Sequence, residues 1–223
     1  MLGYGVLTVA EKRRLVAIGD IHGCLDKLER LLQRIPVNWE KDTIIFLGDY
    51  IDRGPNSKGV LDLLISLKEL YGENVIFLKG NHEAMFQDYL KGYDRSFFLV
   101  NGGRATLLSY GVDPEAFEDL KLPLEHQRFL EQLVLFKETD DYFFVHAGVR
   151  PGIPLNKQLP QDLLWIRGSF VESNYNWGKR IIFGHTVFSL PRVEENKIGI
   201  DTGAVYGGRL TALVLPEVDF VFA

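Results

Sequence analysis

Apolar and polar positions in the first half of the chain alternate between two patterns. Short apolar runs predict three buried β-strands, at 15–20, 43–49 and 74–80. Segments with apolar residues at helical spacing lie between and after them, at 24–35, 57–72 and 82–90. A β-α-β-α-β-α order predicts neighbouring parallel strands with helices packed on the faces of the sheet.

The second half has a different pattern. The region 92–140 is more polar, and the segments 101–111 and 124–136 fit helices. Strands are then predicted at 141–148, 179–185, 196–201, 209–216 and 218–223. The gaps between these strands are interpreted as turns, which predicts a more antiparallel second half. We therefore expect an α/β fold, a two-sheet β-sandwich flanked by helices, with residues 1–223 forming one domain.

Composition narrows the classes of protein. The 223 residues carry a formal net charge of -5, which argues against a general nucleic-acid-binding surface. The single cysteine, Cys24, excludes an internal disulfide and a thiolate zinc cluster, and it favours a reducing, cytoplasmic compartment. No apolar run approaches the length of a membrane span, and residues 1–14 do not have the pattern of a signal peptide.

Metal-binding side chains follow five of the predicted strands, where each strand ends. They lie in GDIHG (19–23), GDYIDRG (48–54), GNHE (80–83), HAG (146–148) and GH (184–185). Ligands bind at the carboxyl ends of strands in such sheets, and these ends are close together in space. Any one motif alone is more typical of a turn, and GNHE alone fits a helix N-cap. The five together favour a metal site.

Oxygen and nitrogen donors of these types suit divalent manganese, iron or zinc. One ion is predicted on Asp20, His22 and Asp49. A second ion is predicted on Asp49, Asn81, His146 and His185. A bridging carboxylate between two ions is typical of hydrolases in which metal binding lowers the pKa of water. The sequence thus predicts a hydrolytic centre with two metal ions that share Asp49.

These motifs resemble those of the phosphoprotein phosphatase family of calcineurin-like metallophosphoesterases, over residues 19–208. The segments NGG (101–103), LLWIRG (163–168), FGHT (183–186) and IDTGAVYGGRLTAL (200–213) further resemble the small bacterial, lambda-phosphatase-like branch. The resemblance implies the two-sheet fold with two metals, and Mn²⁺ is expected from this branch. The glycine- and proline-rich segment HAGVRPGIP (146–154) departs from the reference pattern and resembles the eukaryotic and dinucleotide-hydrolase branches as much as the phage one.

The resemblance also implies catalytic roles. His82 matches the general acid, and Asp52 matches the carboxylate that orients it. Arg53 matches a phosphate clamp and Arg167, in a shorter motif, a second clamp. Asn81 is counted with both arginines among the substrate-binding residues.

Two enzymatic functions are consistent with this site. The favoured one is a metal-dependent serine/threonine protein phosphatase, acting on a phosphoprotein or a phosphorylated small molecule. Hydrolysis is then expected by direct attack of a hydroxide that bridges the two metals, without a covalent phosphoenzyme. The alternative is a symmetrical diadenosine tetraphosphate hydrolase with the same metal centre. A third class, a non-catalytic binding module, is disfavoured because every ligand position and the acid are present.

Other polar and aromatic residues have simpler interpretations. His126 is predicted on a solvent-exposed helix face. Cys24 is predicted to be a packing residue, and Asp201 is predicted to cap a turn. Trp165 and Tyr206 either line the cleft or only pack.

Overall fold

A computed structural model describes residues 14–115 and 120–223. Within these residues, ten strands form two five-stranded sheets. The strands are β1 (Leu15–Ile18), β2 (Thr43–Phe46), β3 (Val75–Phe77), β4 (Phe136–Glu138), β5 (Tyr142–Val145), β6 (Arg180–Phe183), β7 (Arg192–Val193), β8 (Lys197–Gly199), β9 (Thr211–Leu215) and β10 (Asp219–Phe222). The sequence-based prediction about a signal peptide falls almost entirely on residues 1–13, outside the described residues.

The described α-helices are mostly short. They are α1 (Leu25–Arg34), α2 (Ser57–Tyr71), α3 (Asn81–Leu90), α4 (Arg95–Phe98), α5 (Arg104–Ser109), α6 (Leu124–Gln132), α7 (Pro160–Trp165) and α8 (Gly168–Val171). At 15 residues, α2 is the longest of them. Over 14–115 and 120–223, every helix is too short or too polar to span a bilayer.

The first sheet has the strand order β10-β9-β1-β2-β3. Strands β1, β2 and β3 are parallel, with Ile18 opposite Phe46 and Phe46 opposite Phe77. Parallel pairing follows from the helical crossovers α1 and α2, as the alternating pattern predicts. Strands β9 and β10 add to the other edge in antiparallel pairing.

The second sheet has the order β4-β5-β6-β8-β7. Its three central strands, β5, β6 and β8, are parallel, and only the edge strands β4 and β7 of this sheet are antiparallel. The prediction of a more antiparallel second half is therefore wrong for the centre of this sheet. For β5 and β6 the reason is that α7 and α8 lie between them and provide a crossover, and the sequence pattern did not reveal these two short helices. Strand β8 is parallel to β6 because the chain forms the edge strand β7 between them, which reverses its direction.

Alternating side chains on the strands build three cores. Val16 of β1 belongs to the core under helices α1 to α3, whereas its neighbour Ala17 belongs to the core between the sheets. In the same way Phe144 of β5 faces the first sheet, and Phe143 packs against α7 and α8. The resulting layers are helices, sheet, sheet and helices, which confirms the predicted fold class.

Two predicted helices differ from the observed ones. The segment 124–136 leaves the helix after Gln132, and Val134 pairs with Leu78 of the neighbouring sheet edge before β4 begins. The segment 101–111 becomes regular helix only at Arg104, because Gly102 has a φ of 109°. Pairing to a distant strand and a left-handed glycine are both tertiary features that override helical spacing.

The prediction for His126 is wrong, since the structure buries this residue. Its ring Nε2 lies 2.9 Å from Asp62 Oδ1 and its Nδ1 lies 2.6 Å from the Tyr110 hydroxyl. These contacts join α6 to α2 and to the end of α5. A buried imidazole needs such partners, and they lie 16 and 64 residues away along the chain.

Candidate metal centre

The polar side chains that follow the strands converge at one edge of the sandwich, where both sheets meet. Two hydrogen bonds join the sheets there. The His185 main-chain N–H donates to Asp20 Oδ2 over 3.0 Å, and His146 Nδ1 lies 2.9 Å from the Leu47 carbonyl oxygen. All six predicted ligands are buried at this edge: Asp20, His22, Asp49, Asn81, His146 and His185.

Asp49 lies at the centre of this group. Its Oδ2 is 3.4 Å from His22 Nε2, and its Oδ1 is 3.4 Å from His146 Nε2. Among the described residues, two clusters of donor atoms lie close enough to hold an ion, with spacings within 4.8 Å. One cluster comprises Asp49, His22 and His82, and the other comprises Asp49, His146 and His185. Asp49 therefore belongs to both.

The histidine hydrogen bonds orient unprotonated nitrogens toward Asp49. His22 Nδ1 lies 2.8 Å from the Ile51 carbonyl oxygen, as His146 Nδ1 does from that of Leu47. An Nδ1–H that donates to a carbonyl leaves Nε2 unprotonated, with a lone pair that can accept a hydrogen bond or bind a metal, as in metal-ligating histidines. Burial lowers the pKa of His22 to about 3, so its imidazole is neutral.

Several buried acceptor atoms have no donor within the described structure. Asp20 Oδ1 and His185 Nε2 have no hydrogen-bond partner there. Asn81 Oδ1 lies 2.9 Å from His146 Nε2, so two lone pairs point into the same space. Each unsatisfied buried polar atom costs about 1–3 kcal/mol. Divalent cations would satisfy Asp20 Oδ1 and the Asn81–His146 pair, and His185 Nδ1, 3.2 Å from His146 Nε2, adds a further nitrogen donor.

Glycine keeps this space open beside Asp20. A Cβ atom on Gly184 would lie 2.1 Å from Asp20 Oδ1, closer than any real contact. Residue 184 must therefore be glycine for the Asp20 carboxylate to occupy its position.

The charge balance also favours cations. Burial raises the pKa of Asp20 well above its usual value, and the neighbouring carboxylates Asp201 and Asp49 raise it further. Burial also opposes ionisation of Asp49, but surrounding imidazoles, with His146 the strongest, lower its pKa below the ordinary value. Carboxylates crowd at one buried place, and bound divalent cations would compensate them.

His82 and Asp52 form a buried pair beside the clusters. His82 Nδ1 lies 2.6 Å from Asp52 Oδ2, and His82 Nε2 points toward Asp49, 3.9 Å from its Oδ2. Burial acts to lower the pKa of His82, but Asp49 and then Asp52 outweigh it and raise this pKa above its usual value. A protonated imidazole that is held on one side by a carboxylate can donate a proton from the other side.

Two arginines lie at the site, as predicted. Arg53 Nη1 is 2.6 Å from His22 Nε2, and its guanidinium lies over the Tyr206 ring at 5.6 Å from the centroid. Arg167 Nη1 donates to the His185 carbonyl oxygen over 3.0 Å. The structure thus brings together all of the predicted site residues, with the exposed Arg167 at the rim.

Glu83, the last residue of the GNHE motif, is part of the site framework, although the sequence analysis assigned it no role in the site. Its carboxylate accepts hydrogen bonds from the N–H groups of Asp49 (2.9 Å), Tyr50 (2.8 Å) and Gly80 (2.9 Å). It therefore ties the loop after β2 to the start of α3. The bond from the Gly80 N–H to Glu83, three residues later, is the backbone half of a capping box and can be expected from the sequence. The bonds to Asp49 and Tyr50 join distant segments and cannot be expected from it.

The structure also places the four other residues that the sequence analysis singled out. Asp201 Oδ1 accepts a hydrogen bond from the Gly203 N–H over 3.0 Å, which confirms the turn. Cys24 is buried before α1. The Trp165 ring lies 6.4 Å from the His185 ring, and Tyr206 contacts Arg53, so both aromatic residues border the site.

Comparison with known proteins agrees with this geometry. The sequence profile of the family described as calcineurin-like phosphoesterase matches residues 13–189. The chain therefore belongs to the calcineurin-like metallophosphoesterases. The family depends on two metal ions, and two clusters share Asp49 here. The protein is thus a hydrolase of phosphoester bonds, and the family predicted from the motifs is confirmed.

Curated relatives cover almost the whole chain. Bis(5'-nucleosyl)-tetraphosphatase PrpE [asymmetrical] of Bacillus thuringiensis (strain Al Hakam) is 28% identical over 92% of this chain and 91% of its own. The protein of the same name from Anoxybacillus flavithermus (strain DSM 21510 / WK1) is 31% identical with the same coverage.

Solved structures share the fold. A putative diadenosine tetraphosphatase matches with a TM-score of 0.74 and 24% identity, over 96% of this chain and 94% of its own. A Saccharomyces cerevisiae serine/threonine phosphatase with similarity to human PP5 matches with a TM-score of 0.69 and 17% identity, over 97% and 80%.

Substitution of Asp49 by asparagine is expected to weaken binding of both metals, because the amide removes the negative charge common to the two clusters. Replacing a residue that only supports a metal ligand lowers metal affinity by about 10–100-fold, so replacing the ligand Asp49 itself should lower it further. Metal content after dialysis, measured by inductively coupled plasma mass spectrometry, tests this.

The matched control is Asp42→Asn. Asp42 is also a buried aspartate, and its carboxylate lies 3.0 Å from the Arg14 guanidinium. It precedes β2, whereas Asp49 follows β2, so the two residues lie at opposite ends of this strand. This variant should keep the wild-type metal content. Two ions bound to Asp49→Asn at wild-type affinity would remove Asp49 from the centre.

Proposed function

We propose that the chain is a metal-dependent hydrolase of dinucleoside polyphosphates, with diadenosine tetraphosphate as the model substrate. The observation that carries this proposal is the full-length similarity to bis(5'-nucleosyl)-tetraphosphatases, over 92% of this chain and 91% of theirs. Similarity over this share of both chains extends beyond the short motifs that supply the metal ligands. The centre itself is common to enzymes of several specificities.

The proposal replaces the preference for a protein phosphatase. The comparisons support the dinucleotide alternative better, because the solved phosphatases with similar folds share only 17–20% identity and show the fold alone. The sequence analysis gave this alternative as a symmetrical diadenosine tetraphosphate hydrolase, which would release two ADP molecules. The curated relatives are named asymmetrical, so we propose cleavage of diadenosine tetraphosphate to AMP and ATP.

The metal ligands are proposed as the sequence analysis assigned them. Asp20, His22 and Asp49 hold one ion. Asn81, His146 and His185 hold the second together with Asp49. The geometric cluster around His22 includes His82 in place of Asp20. We assign Asp20, because its Oδ1 is unpartnered. Burial acts to lower the pKa of His82, but Asp49 and Asp52 outweigh it and raise this pKa, and a protonated imidazole has no lone pair to offer a metal. Both ions are proposed to be Mn²⁺, which suits these oxygen and nitrogen donors, as iron and zinc also do.

When bound, such ions lower the pKa of a water molecule and neutralise phosphate charge. The protein groups do the rest. Arg53 and Arg167 offer planar forks of N–H donors to phosphate oxygens, and the Asn81 amide also contacts the phosphate. As the water oxygen bonds to phosphorus, the bond from phosphorus to the leaving oxygen breaks. His82, held by Asp52, gives its Nε2 proton to that leaving oxygen.

A groove lined in part by aromatic residues is proposed to hold one nucleoside. Its volume is about 490 Å³, and its wall includes Phe97 and Trp165, whose ring centroids are 6.0 Å apart. The carboxylates of Asp88 and Asp94 also line it, and they disfavour a phosphate there. Stacking of a base on exposed aromatic rings fits this combination. The Trp165 ring, which lines the groove, lies 6.4 Å from the His185 ring, so this wall of the groove borders the metal centre.

Product analysis tests the function directly. The Mn²⁺-loaded protein is incubated with diadenosine tetraphosphate or with a phosphoserine peptide, with and without chelator. We expect AMP and ATP in equal amounts, abolished by chelator, and a kcat/KM for the dinucleotide at least about tenfold above that for the peptide. A preference for the peptide would contradict the proposal, and two ADP molecules would reverse the assigned cleavage position.

His82→Asn should reduce turnover of a phosphate ester with a poor leaving group by about 10²–10⁴, the usual contribution of a general acid. The same change should have a smaller effect on 2,4-dinitrophenyl phosphate, whose leaving group needs no proton. Steady-state rates on phenyl phosphate and the dinitrophenyl ester measure this difference, and metal content should stay at wild-type levels. An unchanged rate on phenyl phosphate would show that His82 is not the acid.

Trp165→Ala should raise the KM for diadenosine tetraphosphate by about tenfold, since stacking one base contributes about 1–3 kcal/mol. The kinetics on phenyl phosphate should change little, because this substrate has no nucleoside. Trp39→Ala is the control, since Trp39 stacks on Tyr71, with ring centroids 4.8 Å apart, outside the groove lining. Equal KM increases for both substrates would count against the nucleoside site.

A further inference from the structure

Asp52, the carboxylate partner of His82, has an unfavourable backbone conformation. Its φ is 73°, and the φ of Arg53 is 67°, both in the left-handed region that non-glycine residues rarely adopt. Such residues persist only where surrounding contacts hold them, and each costs about 1–3 kcal/mol. Residues 102–106 provide these contacts, although the sequence motifs assign them no catalytic role.

Thr106 on α5 contacts Asp52 at two points. The Thr106 hydroxyl donates to Asp52 Oδ1 over 2.6 Å and accepts from the Asp52 main-chain N–H over 2.9 Å. Ser57 Oγ lies 3.0 Å from both Thr106 Oγ1 and the Asp52 nitrogen. Asp52, Thr106 and Ser57 are each 0% exposed, so no water replaces these bonds.

The two Asp52 oxygens consequently have separate partners. Oδ1 accepts from Thr106, and Oδ2 lies 2.6 Å from His82 Nδ1. A carboxylate fixed at one oxygen and at its own backbone cannot rotate away from the imidazole. Hydrogen bonds to a charged acceptor are among the stronger ones in proteins, particularly where no water competes.

The same segment also holds the next residue. The Arg53 N–H donates to the Gly102 carbonyl oxygen over 3.0 Å, and a Cβ atom on Gly102 would lie 2.6 Å from Arg53 Cγ. Thr106 and Gly102 thus lie against Asp52 and Arg53, two neighbouring residues that point into the site.

We propose that Thr106 is a positioning residue for phosphoester hydrolysis, acting through Asp52 on the orientation of His82. The proposal rests on the proposed role of His82 as the proton donor. It is independent of the natural substrate, because proton donation to a leaving oxygen is required for any ester with a poor leaving group. Asp52 orients His82 and Thr106 orients Asp52, which makes a buried chain of three side chains.

The test compares Thr106→Val, which removes the hydroxyl at nearly constant shape, with Thr106→Ser, which keeps it. In the Mn²⁺-loaded protein, Thr106→Val should lower kcat on phenyl phosphate by about tenfold or more and change kcat on 2,4-dinitrophenyl phosphate by less than about threefold. Thr106→Ser should restore most of the loss. Thr43→Val, at a buried threonine that begins β2 at the opposite end from Asp49, should leave both rates unchanged.

Two further measurements separate positioning from packing. In the Asp52→Asn background, Thr106→Val should cause little additional loss, because the carboxylate through which it acts has gone. In the metal-free protein, the strongly deshielded proton of the His82–Asp52 hydrogen bond should shift or vanish in the ¹H NMR spectrum of Thr106→Val and persist in Thr106→Ser.

The outcomes distinguish this proposal from the proposed function. Equal losses of kcat on both esters, or a full additional loss in the Asp52→Asn background, would overturn the role of Thr106 and reduce it to packing. If His82→Asn shows a strong leaving-group dependence and Thr106→Val shows none, Thr106 is excluded while the acid role stands. If neither variant shows one, both the acid role and the Thr106 proposal fail. The identity of the natural substrate affects none of these comparisons.

Discussion

The site depends on burial of the Asp49 carboxylate at the place where two sheets meet. The Asp49 main-chain N–H donates a hydrogen bond to Glu83. The carboxylate oxygens of Asp49 face the imidazoles of His22, which follows the first sheet's β1, and His146, which follows the second sheet's β5. Burying a carboxylate is costly unless compensating charge is present, and Asp20 and Asp201 add negative charge close by. The fold therefore has to bring nitrogen donors and cations to this edge, and the neutral histidines with unprotonated nitrogens supply the ligands without adding charge.

The positions of the metal-binding residues could be predicted from the sequence because most of them directly follow a strand. An apolar run followed by glycine and a metal-binding residue is a local signal, so Asp20, Asp49 and His146 could be placed at one sheet edge before any coordinates were known. The parallel centre of the second sheet was missed, because α7 and α8 are too short to show helical spacing. Burial of His126 and the bonds made by Thr106 join distant segments, and such contacts leave no periodic pattern.

The division between shared and specific parts of the site has a physical basis. The metal cluster and the His82–Asp52 pair deal with phosphorus and the leaving oxygen, which are the same in many phosphate esters. Discrimination between a peptide and a dinucleotide has to come from surfaces outside this centre. The groove lined by Trp165 and by the exposed Phe97 of α4 lies outside this centre and is the surface proposed here for a nucleoside.

The central claim, that two cations share Asp49, is tested most directly by a crystal structure of the Mn²⁺-loaded protein with anomalous diffraction data. The account predicts two anomalous peaks on opposite sides of the Asp49 carboxylate. One peak should have Asp20 and His22 as further ligands, and the other should have Asn81 and the histidines of the second sheet. A single peak, or two peaks of which only one contacts Asp49, would contradict it.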